Sequence, residues 1–253
     1  MKIGIIQYDP VWENKAESKK RIFELLNSLR SEISLLIFPE LTLTGFTMRS
    51  KKFAEQISGE SVSFFSSIAK KISAHVMAGF IEEDNGKYFN TLVHINDMGN
   101  VVTKYRKIHP FSSTGENRHY VSGERKVITE IDGLTFGLSI CYDLRFPELY
   151  RYYAKERVEA IINIANWPEI RIDHWYSLLK ARAIENQSFM IGVNRIGKDK
   201  ANNYVGWSSV FHPYGEELIC IKNQKKLKVV SISAKDVSET RERYPFLNDI
   251  KLI

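Results

Sequence analysis

Short apolar runs dominate this chain, and most stop at a turn signal before reaching helical length. "KIGIIQ" (2–7), "LLIF" (35–38), "HVMAGFI" (75–81), "YFNTLVHI" (88–95) and "VVTKYR" (101–106) are β-branched, aromatic or aliphatic and read as strands. Segments 127–131 and 134–140, joined around Asp132-Gly133, continue the series, as do "AIINIAN" (160–166), "FMIGVN" (189–194), 205–211, 217–221 and 227–232. Helical spacing of apolar residues falls between them. Ile22, Leu25, Leu26 and Leu29 mark 14–31, Phe64, Phe65, Ile68 and Ile72 mark 61–73, and Leu178, Leu179, Ala183 and Ile184 mark 171–187. Another helix is expected from Pro147, a residue suited to a first helical turn. Roughly a dozen strands and about five helices are too many strands for a three-layer doubly wound sheet of this length. The fold class expected is α/β, with two sheets packed face to face and helices outside.

The separators "EDNGK" and "NDMGN" make neighbouring strands of 75–106 hairpin-like. The basic run "KNQKKLK" (222–228) reads as a solvated hairpin. No linker, low-complexity tract or repeat divides 1–253, so one domain is expected. The longest stretch without periodicity runs from Lys107 to Lys126 and includes Pro110, Gly115 and Gly123. Long irregular loops within compact domains often carry function.

The 253 residues are 43% hydrophobic and 26% charged, enough for a large core in an ordinary globular protein. "MKIGIIQYDP" is too short for a signal peptide, and no run approaches membrane-spanning length. Cys141 and Cys220 cannot build a disulfide framework. A cytoplasmic protein without membrane partners is therefore expected. The net charge of +6 comes from scattered basic residues with no stripe or recognition motif, which argues against nucleic acid. A small anionic substrate suits that charge better.

Three strand-like runs end in reactive side chains. "LLIFPE" delivers Glu40, "VVTKYRK" delivers Lys107 and "GLSIC" delivers Cys141. Strand ends are where α/β folds commonly build sites. Taken singly, each has an ordinary structural reading: a turn carboxylate, a basic edge, a packed thiol. Together they form an acyl-transfer set. A thiol needs a base or a positive field, a carboxylate supplies the base, and an ammonium supports a thiolate or an oxyanion.

"FPELTLTGF", "YRKIHPF" and "CYDLRFPELYR" resemble the three signature segments of the nitrilase (carbon–nitrogen hydrolase) superfamily. The resemblance runs in order from "IGIIQYDPVWENK" to "NWPEIRIDHWYSLLKARAIENQ" and "GVNRIG", over essentially the whole chain. It implies a four-layer αββα sandwich of two mixed β-sheets, usually a homodimer, with no metal or organic cofactor. It also implies a triad of Glu40 as general base, Lys107 as oxyanion donor and Cys141 as nucleophile. Glu116 occupies the place of a further family glutamate, with Glu124 as a competitor in the same loop. "TGFTM", "GENRHYVSG", "ICYDLRFPE" and the "ANWP" to "ARAIENQ" block are most similar to bacterial ω-amidases, which hydrolyse 2-oxoglutaramate. The backbone N–H of Tyr142 would join Lys107 at the oxyanion. Arg145 is the first candidate for the substrate carboxylate, with Arg118 and Arg195 behind it. Phe46 and Trp167 are candidates for the pocket wall.

Other readings compete. Within the class, the substrate is another amide, such as deaminated glutathione or an N-carbamoyl compound. A Cys–His hydrolase would use His109, His119 or His174, none of which has a diagnostic spacing. The six histidines show no paired zinc-type spacing. A non-catalytic binding module would not require all three triad members. Cys220 in "LICIK" reads as a buried strand thiol.

Overall fold

The computed structural model describes residues 1–252. In chain order its elements are β1 (Lys2–Gln7), α1 (Lys15–Leu26), β2 (Leu35–Ile37), α2 (Ser50–Phe53), α3 (Glu60–Ile72), β3 (His75–Asp84), β4 (Lys87–Ile95) and β5 (Val101–Arg106). Then follow β6 (Ile128–Ile131), β7 (Leu134–Ile140), α4 (Pro147–Lys155), β8 (Ala160–Ala165), α5 (Ile172–Asn186), β9 (Phe189–Asn194) and β10 (Ile196–Lys198). The last are β11 (Asn203–Phe211), β12 (Glu217–Lys222), β13 (Lys226–Ser231) and α6 (Ala234–Arg243).

Two mixed sheets form. One has the order β13-β1-β2-β3-β4-β5, and the other β10-β11-β9-β8-β7-β6 with β12 on β11. Strand alternation assigns the layers. Ile3 and Ile5 of β1 and Leu35 and Ile37 of β2 enter the core shared with Leu138, Ile140, Ile162 and Ile164 of the second sheet. Ile6 and Leu36 point the other way, to Ile22 and Leu25 of α1 and Phe65 and Ile68 of α3. On the far side, Tyr150 and Tyr153 of α4 and Trp175 and Leu179 of α5 cover the second sheet. The result is the expected four-layer αββα sandwich. Strand β8, "AIINIA", lies parallel between β7 and β9 and is buried throughout, as a strand covered on both faces must be.

Local signals set the helix ends. Asn14 caps α1 by accepting the N–H of Glu17 (3.1 Å), and Pro147 opens α4. Helix α1 stops at Leu26, short of the expected 31, and Ser34 N–H then donates to Lys2 O (2.8 Å) as the chain enters β2.

The expected hairpin at 222–228 does not form. Strand β12 belongs to the second sheet, whereas β13 pairs antiparallel with β1 in the first, Lys2 opposite Ser231. Residues 223–225 therefore cross between sheets. The physical reason is that β1 has an open edge, and Leu227 and Val229 gain cover beside the α1/α3 core. Gln7 Nε2 fixes the crossing by donating to the carbonyls of Ile221 and Gln224, both at 2.9 Å.

Candidate active site

Strands β2, β5 and β7 end at Ile37, Arg106 and Ile140, and the chain beyond each brings Glu40, Lys107 and Cys141 to one place. After β2, Leu41 turns the chain with φ +43°. This turn lies directly on Gly79 of β3, where Gly79 O accepts the N–H of Thr42 (2.8 Å) and Gly79 N–H donates to Thr42 Oγ1 (3.2 Å). A Cβ at Gly79 would stand 2.5 Å from Leu41 N and 2.8 Å from Glu40 Cα, so the approach requires glycine.

Lys107 continues the β4–β5 ladder, its N–H donating to Asn90 O (2.9 Å). Its ammonium is buried and shared between two carboxylates. Nζ is 3.0 Å from Glu40 Oε1, and 3.0 and 2.9 Å from Glu116 Oε1 and Oε2. Asn90 Nδ2 ties the same carboxylates together, donating to Glu40 Oε1 (2.7 Å) and Glu116 Oε1 (3.0 Å). The second oxygen of Glu40 accepts the N–H of Asn166 (2.7 Å), and that of Glu116 accepts the N–H of Phe111 (2.6 Å). Burial works against the Lys107 charge, but Glu116 and Glu40 outweigh it and hold the ammonium well above the ordinary lysine range.

Cys141 adopts φ +45°, a backbone state that costs a non-glycine residue about 1–3 kcal/mol. Buried Asp143 holds it there. Asp143 Oδ2 accepts the N–H of Ile140 (2.9 Å) and the hydroxyl of Tyr105 (2.7 Å), and Oδ1 accepts the N–H of His109 (2.9 Å). Burial raises the Cys141 thiol well above its ordinary range. The Glu40 charge adds to the rise, and Lys107 offsets it only in part. A thiol raised in this way needs a base before it can act as a nucleophile.

Cys141 is half-buried and opens onto a cavity of about 250 Å³. Lys107, Phe46, Tyr142, Arg145 and Trp167 line it, as the sequence suggested. Arg145 lies over the Trp167 ring, 4.8 Å from its centroid. Arg118 is a correction: it is exposed in a short 3-10 turn (Glu116–Arg118) and does not line the cavity, because Glu116 of the same turn points inward. Arg195 is also outside, buried with Nη2 on Asp9 Oδ1 (3.0 Å). Glu124 lies in a separate groove of about 770 Å³ along β5 and β6, leaving Glu116 as the glutamate beside Lys107. Asn90, Asn166, Asp143, Phe111, Arg171 and Tyr204 complete the site or its walls and were not anticipated. Asn166 carried a signal, since it follows the buried run of β8 directly.

His109, His119 and His174 do not line the cavity. His109 stacks on Phe146 at 3.8 Å and donates from Nδ1 to Asp143 Oδ1 (2.7 Å). His174 Nδ1 lies 3.2 Å from Arg145 Nη2. Among the described residues, no cluster of three or more His, Cys, Asp or Glu side chains has metal-binding geometry, and no helix is long and apolar enough to cross a membrane. Cys220 is half-buried on β12, more open than expected, because β12 lies at the margin of its sheet.

The carbon–nitrogen hydrolase family model matches residues 2–242. A protein of Staphylococcus aureus named "Hydrolase in agr operon" is 32% identical over 257 residues, covering 100% of this chain and 98% of the relative. The 2-oxoglutaramate amidase of Bacillus subtilis (strain 168) is 30% identical, covering 98% and 97%. The crystal structure of XC1258 from Xanthomonas campestris, a CN-hydrolase superfamily protein, superposes with a TM-score of 0.95 at 30% identity, covering 100% and 98%. With its signature segments gathered around one cavity and these matches along its length, the chain belongs to the carbon–nitrogen hydrolase family.

Proposed function

We propose that this carbon–nitrogen hydrolase is an ω-amidase, converting 2-oxoglutaramate to 2-oxoglutarate and ammonia through a thioester on Cys141. The carrying observation is the Lys107 ammonium gripped by Glu40 and Glu116 at the wall of the cavity onto which Cys141 opens. Glu40 takes the thiol proton as sulfur attacks the amide carbon. Lys107 and the Tyr142 N–H receive the oxyanion, and one such donor is typically worth about 3–4 kcal/mol of barrier. Glu40 then protonates the leaving nitrogen, and ammonia departs. Water, deprotonated by Glu40, attacks the thioester and restores the thiol. Glu116 keeps Lys107 aimed and charged.

The cavity chemistry favours a 2-oxo over a 2-amino acid. Arg145 suits a carboxylate, and among the described residues no Asp or Glu lines the cavity. An α-ammonium would find no partner there. The relative from Bacillus subtilis named 2-oxoglutaramate amidase supports the same choice. The test is ammonia release from 2-oxoglutaramate and from glutamine at equal concentration. Clear preference for 2-oxoglutaramate is expected, and equal or reversed rates would remove the substrate assignment.

A further inference from the structure

Arg145 and Arg171 line the same cavity, and both are half-buried. Arg145 rests over Trp167 and contacts His174, while Arg171 lies over the Phe111 ring, 5.4 Å from its centroid. Among the described residues neither forms an ion pair with a carboxylate. Two guanidiniums facing one partly dehydrated space are unfavourable. Burial lowers the proton affinity of Arg145, and the charge of Arg171 lowers it further. A bound anion removes that penalty.

Formal charge points to the kind of anion. With the thiol neutral, and setting apart Asp143, whose oxygens are taken up by Ile140, Tyr105 and His109 beneath the turn, Glu40, Glu116 and Lys107 together carry one negative charge. Arg145 and Arg171 turn the site to one positive charge. A substrate with a single carboxylate brings it to neutrality, whereas a dicarboxylate overshoots.

We infer that Arg171 is a specificity-determining residue that acts with Arg145 as a two-guanidinium clamp, selecting amides that bear one carboxylate. This rests on the amidase reading of the cavity given above. Hydrolysis then changes the charge at the site. The C–N bond breaks as ammonia leaves with the thiol proton relayed by Glu40; water then adds to the thioester carbon and returns one proton to sulfur, and the new acid releases its remaining proton to solvent. The product carries two carboxylates, the second beside Glu40, and the site acquires net negative charge. Product expulsion follows from the same clamp that selects the substrate.

The test is steady-state kinetics with three amides: 2-oxoglutaramate, an amide carrying two carboxylates, and a neutral amide of similar length. The enzymes are the wild type, Arg145→Gln, Arg171→Gln and Arg171→Lys, with circular dichroism to confirm folding. The wild type is expected to prefer 2-oxoglutaramate over both others. Arg171→Gln should lower the kcat/KM ratio of 2-oxoglutaramate to the neutral amide by about tenfold or more, mainly through KM, as loss of a charge-assisted hydrogen bond does. Arg171→Lys should recover part of it. If Arg145→Gln collapses the ratio and folded Arg171→Gln and Arg171→Lys both leave it intact, Arg171 is not part of the clamp. A wild-type preference for the dicarboxylate overturns the single-charge selection. No hydrolysis of any amide by the wild type overturns the amidase reading itself.

Discussion

Asp143 Oδ1 accepts two hydrogen bonds from His109, one from the backbone N–H at 2.9 Å and one from Nδ1 at 2.7 Å. The contact fastens the turn that presents Cys141 to the loop that follows Lys107. Because Asp143 Oδ2 also holds Ile140 N–H and the Tyr105 hydroxyl, one carboxylate sets the backbone on both sides of the sulfur.

Asp143→Asn should therefore lose activity without touching a reacting atom. An amide cannot accept from all four donors, and breaking a buried hydrogen bond to a charge costs about 1.5–3 kcal/mol. Denaturant unfolding should show a loss of that order or more. Turnover should fall, since the turn that carries Cys141 loses its anchor.

The thiol sets a second expectation. Burial first, and then the Glu40 charge, raise the Cys141 pKa above the ordinary thiol value of 9.0. Alkylation of Cys141 by iodoacetamide should thus be slow at neutral pH and rise at higher pH than for an ordinary thiol. Glu40→Gln removes a negative neighbour and leaves Lys107 less neutralised, so its alkylation midpoint should move to lower pH even as amidase activity disappears. Rates of modification against pH, read on the Cys141 peptide, give both midpoints. A midpoint that stays put or rises in Glu40→Gln would contradict the assigned electrostatics.

Acid stability follows from His94. This side chain is buried between the sheets, with Nε2 on His75 Nδ1 (2.8 Å) and Nδ1 on Thr129 Oγ1 (2.9 Å). Burial, aided by the charge of His75, lowers its pKa from 6.5 to about 3. The unfolded chain binds a proton at this residue below pH 6.5, while the folded chain refuses it until about pH 3. Its contribution to stability is thus whole above pH 6.5 and lost as pH falls toward 3, at a slope approaching 1.4 kcal/mol per pH unit. Urea unfolding between pH 7 and 4 should show this slope, flattened in His94→Gln.

The layers of the fold and the meeting of Glu40, Lys107 and Cys141 at one place were legible in the sequence for one reason. Buried strands announce themselves as short apolar runs, and Glu40, Lys107 and Cys141 stand just past such runs. The supporting residues gave no comparable sign. Asn90 lies within a strand, and its partner Glu40 is 50 residues away; Asn166 and Glu40 are 126 apart. No local pattern encodes such pairings. Helix α6, "AKDVSETRER", escaped notice because it buries only Val237 and Thr240, too few to show a helical period. The basic run 222–228 was misread because its composition describes a solvated turn but not which strand lies beyond it. The open edge of β1 decides that, and β1 is formed at the other end of the chain.

The most direct measurement is the covalent intermediate itself. Enzyme quenched in acid during turnover of 2-oxoglutaramate should carry an adduct equal in mass to the substrate less ammonia, located by peptide mass spectrometry on Cys141 and absent from Cys141→Ala, which should also release no ammonia. An adduct on Cys220, or ammonia release that persists in Cys141→Ala, would contradict the role assigned to Cys141.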